Sequence, residues 1–236
     1  MVRNCLESSG KHKPKKVKYE EMFPFEFKKA LKNNPTAYLP IGSLEWHGYH
    51  NALGLDSLKA WKILELVAQK IGGIVFPPLF LGVDTDPGLN INKYPNKGYD
   101  CYHLDEKLLE KVLESYFERM IHIGFKTIFV LAGHYPNSKV AHSVAEKFRD
   151  ADIKIIVGAE YDFVENQKGD HAGKWETSLF MATFPHLVDL KLMAGKKNRL
   201  LAVTGDDPQE SAKEYGKEML YKIICGIIKT LDKKVK

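Results

Sequence analysis

A fifteen-residue stretch near the N-terminus concentrates acidic and imidazole side chains. The stretch GSLEWHGYHNALGLD runs from Gly42 to Asp56 and includes Glu45, His47 and His50. A surface loop needs polar residues, but Lys, Ser or Asn would serve that purpose. Carboxylates and imidazoles together can bind protons or metal ions. We therefore interpret the stretch as part of a functional site.

Two later stretches repeat this chemistry. His134 lies in GHYPN, and Asp170, His171 and Glu176 lie in GDHAGKWETS. All three stretches follow segments that read as buried strands. Loops after parallel strands gather at one edge of a sheet, where α/β proteins bind their ligands. The sequence thus predicts a single site built from three connections.

The residue types favour a metal centre. Glu45 and His47 are two apart, so they face the same side of an extended segment. Asp56 begins a predicted helix and could bridge two ions, and His134 adds a nitrogen. Such a nitrogen and oxygen set without sulfur suits Zn²⁺, Mn²⁺ or Fe²⁺. We expect two divalent ions in this site.

Two ions held close together would activate a hydroxide as a nucleophile. His171 and Glu176, which we place one helical turn apart, would supply a proton shuttle and a further carboxylate. Aromatic residues next to these positions, Trp46, Tyr135 and Trp175, are candidate walls of a substrate pocket. Aromatic residues near strand ends also commonly serve as packing, and this alternative stays open.

Each residue has a simpler interpretation. Asp56 could cap its helix, Glu45 could be a solvated carboxylate, and His134 could donate to a backbone carbonyl. Glu176 could stabilise the N-terminus of a helix. The role of His50 is left open. The remaining histidines lack partners in the pattern and are interpreted as structural: His12, His103, His122, His142 and His186.

Hydrophobic periodicity predicts alternating strands and helices. Strands are predicted over 36–42, 73–82, 126–133 and 153–161. Helices are predicted over 23–32, 56–72, 103–124, 138–150, 171–183 and 208–231, with a long loop over 83–102. In the second helix, the predicted apolar stripe is Leu58, Trp61, Leu64, Leu66 and Val67. This order predicts an α/β fold with a mostly parallel central sheet and helices on both faces.

Composition indicates one large domain. The 236 residues are 44% hydrophobic, but no apolar run is long enough to cross a membrane. Residues 1–20 carry a net charge of +4, and we expect them to form a flexible basic tail before a domain over 21–236. Signal-peptide features are absent, and the three cysteines are widely spaced, so we expect a cytoplasmic protein. We expect neither nucleic acid nor a membrane as a partner.

Four ordered motifs resemble the creatininase (creatinine amidohydrolase) family. The family pattern is P-x-G-S-x-E-Q-H-G, G-x-D, G-H-x-x-N and H-A-G-x-x-E-T-S. Here these motifs read PIGSLEWHG, GLD, GHYPN and HAGKWETS, and they span Pro40 to Ser178. The segment VTGDDPQESAKEYG also resembles the family's C-terminal part.

The resemblance implies an α/β fold, a binuclear metal centre and an oligomer, often a hexamer. Carried onto this chain, it implies that Asp56 bridges the two ions, that His171 transfers protons and that Glu176 lies near or on the metals. The other implied metal ligands are Glu45, His47 and His134. Creatinine hydrolases have a ligating Glu where this chain has Pro136, and the family's Gln is replaced by Trp46.

These observations predict a metal-dependent amidohydrolase. It would cleave a lactam or formamide C–N bond in a small molecule, with a metal-bound hydroxide as nucleophile and His171 as proton shuttle. Two alternatives remain at this point. One is hydrolysis of a lactone or an oxidised cyclitol ring, and the other is a non-catalytic relative that binds a small molecule.

Overall fold

The computed structural model describes residues 15–83 and 103–232. Its α-helices are α1 Pro24–Asn33, α2 Leu55–Ile71, α3 Glu106–Ile123, α4 Pro136–Glu146, α5 Lys174–Thr183 and α6 Lys213–Asp232. Its strands are β1 Thr36–Gly42, β2 Ile74–Val75, β3 Leu79–Phe80, β4 Gly82–Val83, β5 His103–Leu104, β6 Thr127–Ala132 and β7 Lys154–Gly158. Residues 1–14 of the predicted tail and residues 84–102 of the predicted long loop lie outside the described residues.

The central sheet is parallel, with the strand order β2-β1-β6-β7, and β3 also pairs with β1. Strands β4 and β5 form a separate parallel pair. Every residue of β1 is buried, as expected for a central strand that is covered on both faces. The predicted mostly parallel sheet is confirmed.

Alternate residues of the strands face two hydrophobic cores. Leu39 of β1 and Val130 of β6 pack with α1, α3 and α4 on one face. Tyr38 and Phe129 pack with α2, α5 and α6 on the other face. Helices therefore cover both faces of the sheet, as the sequence predicts. No helix in the described parts of the chain is long and apolar enough to cross a membrane.

The predicted strand over 73–82 is wrong in its continuity. The structure divides the segment into the short strands β2, β3 and the start of β4. Pro77 and Pro78 lie between β2 and β3 and have no amide hydrogen to donate to a neighbouring strand. The chain can therefore pair with β1 only on either side of the two prolines.

Two helix predictions also need correction. In α2, the buried apolar face is Ala60, Ile63, Leu64, Val67 and Ala68, whereas Leu58, Trp61 and Leu66 of the predicted stripe are only partly buried. The helix predicted over 138–150 starts two residues earlier than expected, because α4 already begins at Pro136. Proline suits the first turn of a helix, where its missing amide hydrogen costs nothing.

Candidate metal centre

Strands β1 and β6 bring the first two motifs together. They run side by side, and the amide of Gly133 donates to the carbonyl of Ile41 over 2.8 Å. A Cβ at Gly133 would lie 2.1 Å from the carbonyl oxygen of Asp56, so only glycine allows the first turn of α2 to approach the end of β6. This close approach places Asp56 next to His134.

Asp56 is at the centre of the cluster, with one carboxylate oxygen directed to each of two histidines. Its Oδ1 lies 3.0 Å from Nε2 of His47, and its Oδ2 lies 3.2 Å from Nδ1 of His134. The N-cap residue of α2 is Gly54, and Asp56 lies in the first turn. The interpretation of Asp56 as a helix cap is therefore wrong.

Two further carboxylates complete the cluster. Oε2 of Glu45 lies 2.7 Å from Nδ1 of His134, and Oε2 of Glu176 lies 3.6 Å from Nε2 of His47. The structure thus brings together every residue that the sequence predicts as a metal ligand. Three sets have donor atoms within 4.8 Å of one another: Glu45–Asp56–His134, His47–Asp56–Glu176 and Glu45–His47–His171. The first two sets share Asp56.

Backbone carbonyls orient the two central imidazoles. Nδ1 of His47 lies 3.1 Å from the carbonyl of Glu45, and Nε2 of His134 lies 2.9 Å from the carbonyl of Val83. A carbonyl only accepts, so these nitrogens must carry hydrogens. In the neutral rings, the lone pairs then belong to Nε2 of His47 and Nδ1 of His134, the atoms that face Asp56. The backbone interaction proposed for His134 is present beside its role in the cluster.

The donor atoms fit a metal ion better than they fit one another. Within the described ranges, Glu45 Oε2, His47 Nε2 and Asp56 Oδ2 are shielded from solvent and have no partner in good hydrogen-bond geometry. Buried polar atoms normally have one. Neighbouring ligand atoms around a tetrahedral ion with bonds of about 2.0 Å lie about 3.3 Å apart, close to the spacings found here.

Charge interactions within the cluster are strong. Burial opposes the charge of His47, but Asp56 and Glu176 outweigh it and raise the pKa of His47 to about 9. Burial likewise opposes the charge of Asp56, yet His47 and His134 hold its pKa well below the usual range. The pKa of His134 is raised well above its ordinary value, because Asp56 and Glu45 outweigh its burial. Protons therefore balance the carboxylates when no cation is bound.

His171 lies at the side of this cluster and is half-buried. Its ring lies against that of His47, with the ring centres 4.4 Å apart. Its Nε2 lies 2.9 Å from the carbonyl of Trp46 and 3.9 Å from Oε1 of Glu45. The prediction that His171 and Glu176 share a helical turn is wrong, because α5 begins only at Lys174. The segment between them instead folds back, and the amide of Ala172 donates to Oε2 of Glu176.

Asp170 anchors this folded segment to the start of α5. Its two carboxylate oxygens accept hydrogen bonds from the amides of Trp175 and Glu176, over 2.8 and 3.1 Å. Burial and the nearby charge of Glu176 raise the pKa of Asp170 to about 7. The residue therefore supports the site through the backbone.

The three aromatic residues that the sequence predicts as pocket walls have different surroundings. Tyr135 lines a cavity of about 250 Å³ together with residues of the cluster. The indole of Trp46 donates to the carbonyl of Leu201 over 3.4 Å. Trp175 is buried in the core against α6, and the described walls of the cavity do not include it. We therefore assign Trp175 to packing.

Sequence reasoning missed a buried lysine behind the cluster. Nζ of Lys59 lies 2.6 Å from Oε1 of Glu160 and 2.6 Å from Oε1 of Glu176. Burial alone would lower the pKa of Lys59, but these carboxylates raise it well above its ordinary value. The spacing gives a partial signal, because Lys59 follows Asp56 by three residues and so shares its side of α2, but it does not reveal the partner Glu160. The predicted stripe included the buried Leu64 and Val67, but its members Leu58, Trp61 and Leu66 lie away from the face that carries Lys59.

Asn137 is a second residue whose role the sequence did not reveal. Its side chain accepts from the amide of Val83 over 3.1 Å and donates to the carbonyl of Leu81 over 2.9 Å. It therefore fixes the segment whose carbonyl orients His134. His50 is buried, and its Nε2 lies 2.9 Å from Oγ1 of Thr177. Burial lowers the pKa of His50 to about 4, which favours its neutral ring, and His50 belongs to none of the donor sets found among the described residues.

The chain is similar to known proteins over most of its length. The family model described as Creatininase: Creatinine amidohydrolase matches residues 20–231. A creatinine amidohydrolase of Pseudomonas putida is 28% identical over 174 residues, which cover 64% of this chain and 65% of the relative. The match thus spans slightly less than two thirds of that relative's length.

Solved structures are similar over nearly the whole chain. A structure described as creatininase Mn is 22% identical, covers 92% of this chain and 98% of its own, and has a TM-score of 0.75. A creatininase variant described as Zn–Zn type is 24% identical, covers 92% and 97%, and has a TM-score of 0.78. At this identity, the structures establish the fold. With the family model matched over residues 20–231, the chain belongs to the creatininase (creatinine amidohydrolase) family.

Proposed function

We propose that this protein is a binuclear metal-dependent amidohydrolase that cleaves a lactam or formamide C–N bond in a small molecule. The carrying observation is the geometry of Asp56. Its two oxygens face two different histidines, and each histidine belongs to a separate set of donor atoms. A carboxylate shared in this way is the arrangement that a pair of adjacent ions requires.

The ligand roles follow from these sets. Glu45, Asp56 and His134 would hold one ion, and His47, Asp56 and Glu176 would hold the other. Pro136 has no side-chain donor, so Glu176 takes the place of the ligating Glu that creatinine hydrolases have after the G-H motif. The names of the similar structures mention Zn and Mn, which supports ions of this class.

Two such ions would supply a nucleophilic water with a lowered pKa and a positive charge beside the substrate carbonyl. We assign to His171 the transfer of a proton to the leaving nitrogen. Its Nε2–H is directed to the carbonyl of Trp46, so its Nδ1 is the nitrogen that can take and return a proton. The donor set that His171 forms with Glu45 and His47 supports this assignment.

The substrate is small. The cavity of about 250 Å³ is lined by residues of the cluster, by Tyr135 and by Thr204. This volume is slightly below the range of typical small-molecule sites, which begins at about 300 Å³. Pro136 lines the same cavity at the place where a Glu would coordinate in creatinine hydrolases, so a substrate other than creatinine is favoured.

We also propose that the protein is a cytoplasmic homo-oligomer, with the hexamer that the family resemblance implies. Phe23 and Phe25 support an interface, because their rings stack near α1 with 62% and 70% of their surfaces exposed. The absence of a nucleic-acid or membrane partner stays a prediction. So do the flexible tail over 1–20 and the domain limits 21–236.

Metal content tests the proposal most directly. Protein purified without chelator is expected to hold two equivalents of Zn, Mn or Fe per chain by plasma mass spectrometry. His47→Ala and Glu176→Ala should each reduce that number. Wild-type protein that holds no metal and takes up none on incubation would overturn the proposal. The loaded enzyme is then assayed on formamides, lactams and lactones, and hydrolysis of lactones alone would favour a different reaction.

The role of His171 has its own test. His171→Ala should keep two equivalents of metal and lose about 10²- to 10⁴-fold in kcat, the usual contribution of a general acid–base. His186→Ala is the matched control, because His186 lies outside the cavity and should leave kcat unchanged. A His171→Ala enzyme with near-wild-type turnover would remove the residue from the mechanism.

A further inference from the structure

A charged network lies directly behind the metal-binding cluster. Lys59, Glu160 and Glu176 are all buried, and Nζ of Lys59 contacts one oxygen of each carboxylate over 2.6 Å. The hydroxyl of Tyr135 donates to the same oxygen of Glu160 over 2.7 Å. The ring of Tyr135 lines the cavity and lies 5.1 Å from Nζ of Lys59. The network therefore runs from a cavity wall to a predicted metal ligand.

Within this network, the two oxygens of Glu176 have different partners. Oε1 accepts from Lys59, whereas Oε2 accepts from the amide of Ala172 over 2.9 Å and lies 3.6 Å from Nε2 of His47. Contacts at both oxygens fix the rotation of the carboxylate. Only Oε2 faces the donor set with His47 and Asp56, because Oε1 is occupied on the opposite side by the ammonium.

Glu160 has a different position. It is as buried as Glu176, but it belongs to none of the donor sets found among the described residues. Its Oε1 accepts from both Lys59 and Tyr135. Glu160 thus supplies a second carboxylate that holds the ammonium of Lys59 in place, while Lys59 also contacts Glu176. Groups behind a ligand in this way orient it and tune its affinity for metal.

We propose that Lys59 is a positioning residue, which holds Oε1 of Glu176 so that Oε2 alone is offered to the metal ion beside His47. The inference rests on the proposed binuclear centre and deepens it. It explains how Glu176, on a different element from the Glu of creatinine hydrolases, serves as a well-oriented ligand. In this arrangement Glu176 would offer a single oxygen to an ion held with His47 and Asp56.

Metal affinity in a double-mutant cycle tests this role. The variants are Lys59→Met, Glu176→Gln and the combination of the two, each stripped of metal and titrated with Zn²⁺ against a chromophoric chelator. Lys59→Met is expected to weaken one of the two equivalents by about 10- to 100-fold, the usual effect of a residue behind a ligand. In the Glu176→Gln background, Lys59→Met should have no further effect, because it acts through Glu176.

Cobalt loading provides a second readout that a purely structural ion pair would not change. The visible absorption of the Co²⁺ protein reports the geometry of the ion, and Lys59→Met should shift its bands. Lys62→Met is the matched control, because Lys62 is on the same helix and pairs with Glu65, outside the cluster. That variant should keep the wild-type affinity and spectrum.

The outcomes separate this inference from the proposed function. Metal-free wild type would overturn both. Two equivalents in the wild type with unchanged affinity and spectrum in folded Lys59→Met would overturn the inference alone, as would additive losses in the cycle. If Lys59→Met does not fold, Lys59→Met/Glu160→Gln removes one charge of each sign and preserves the net buried charge. The same weakening and spectral shift are expected in that variant, and their absence would overturn the inference.

Discussion

Two adjacent groups of buried charges in this protein are balanced in opposite ways. The network of Lys59, Glu160 and Tyr135 contains its own cation, the ammonium of Lys59, which donates short hydrogen bonds to Glu160 and Glu176. The cluster around Asp56 has three carboxylates and two central imidazoles, but within the described residues it has no lysine or arginine of its own. Glu176 belongs to both groups.

The difference shows how a fold can keep a site ready for a cation. Burying carboxylates is costly unless positive charge compensates them. In the network, the ammonium of Lys59 is a permanent source of that positive charge. In the cluster, protons on the imidazoles supply the positive charge and can be lost again. The pKa of His47 is raised to about 9, and that of His134 is also raised. A divalent ion can replace those protons, whereas nothing readily replaces Lys59.

The largest effect is expected at Asp56, the proposed bridge between the two proposed ions. Asp56→Ala should remove both ions and lower kcat/KM by about 10⁴-fold, because metal catalysis contributes several kcal/mol. Glu176→Gln should cost only one equivalent. Metal analysis and steady-state kinetics measure these effects, and Glu65→Ala on the same helix serves as the control. A variant without Asp56 that still binds two equivalents would contradict the shared-carboxylate geometry.

Replacing the buried Lys59 should lower the stability of the fold more than replacing the partly exposed Lys62. Lys59→Met leaves two buried carboxylates without their partner, and we expect it to lower the free energy of unfolding by about 3–5 kcal/mol. Lys62→Met breaks a partly exposed pair and should cost less than about 0.5 kcal/mol. Urea denaturation of both metal-free proteins gives these values. If the two variants were equally stable, the buried network would not contribute to the stability of the fold.

Because the imidazoles of the cluster lose their protons as the pH rises, the stability of the metal-free protein should depend on pH. The pKa of His47 is about 9 in the folded chain and 6.5 for the free residue, so its contribution is complete below pH 6.5 and is lost as the pH rises through 9. The loss should approach about 3 kcal/mol. Metal-loaded protein should lack this trend, because the ions have displaced the protons.

Thermal unfolding of chelator-treated and loaded protein between pH 6.5 and 9.5 checks this expectation. Metal-free His47→Gln should show a weaker dependence on pH than the metal-free wild type. A metal-free wild type whose stability is constant or rises over this range would contradict the proton balance. It would mean that the cluster tolerates its negative charge without a cation.

The same contrast explains what the sequence could predict. Residues of the cluster follow three strand ends in separate motifs, so chemistry and periodicity together bring Glu45, Asp56 and His134 to one edge of the sheet. The bounds predicted for the strand TAYLPIG are those of β1, Thr36–Gly42, and the strand is wholly buried. Fold and cluster were thus accessible without coordinates.

The network was not accessible in this way. A single Lys59 among the apolar residues of a helix resembles an exposed position, and its meaning depends on Glu160, about one hundred residues later in the chain. The interpretation of Trp175 as a pocket wall needed revision for a related reason. Its place beside Glu176 in the motif suggested the cavity, but adjacent residues on a helix point to different sides, and Trp175 faces the core. The positions of Lys59 and Trp175 thus depend on residues that are distant in the sequence.

The smallest effect is expected where the network meets the cavity. Tyr135→Phe removes the hydroxyl that donates to Glu160, but Lys59 still contacts the same oxygen. The loss should be about 1 kcal/mol in the free energy of unfolding, the usual net contribution of one hydrogen bond. Metal content should remain at two equivalents. Tyr161→Phe, whose ring packs edge-on against Tyr135, is the matched control for removing a hydroxyl nearby. If Tyr135→Phe instead loses an ion, the network and the cluster are one cooperative unit, and the contrast between a permanent and a provisional cation does not hold.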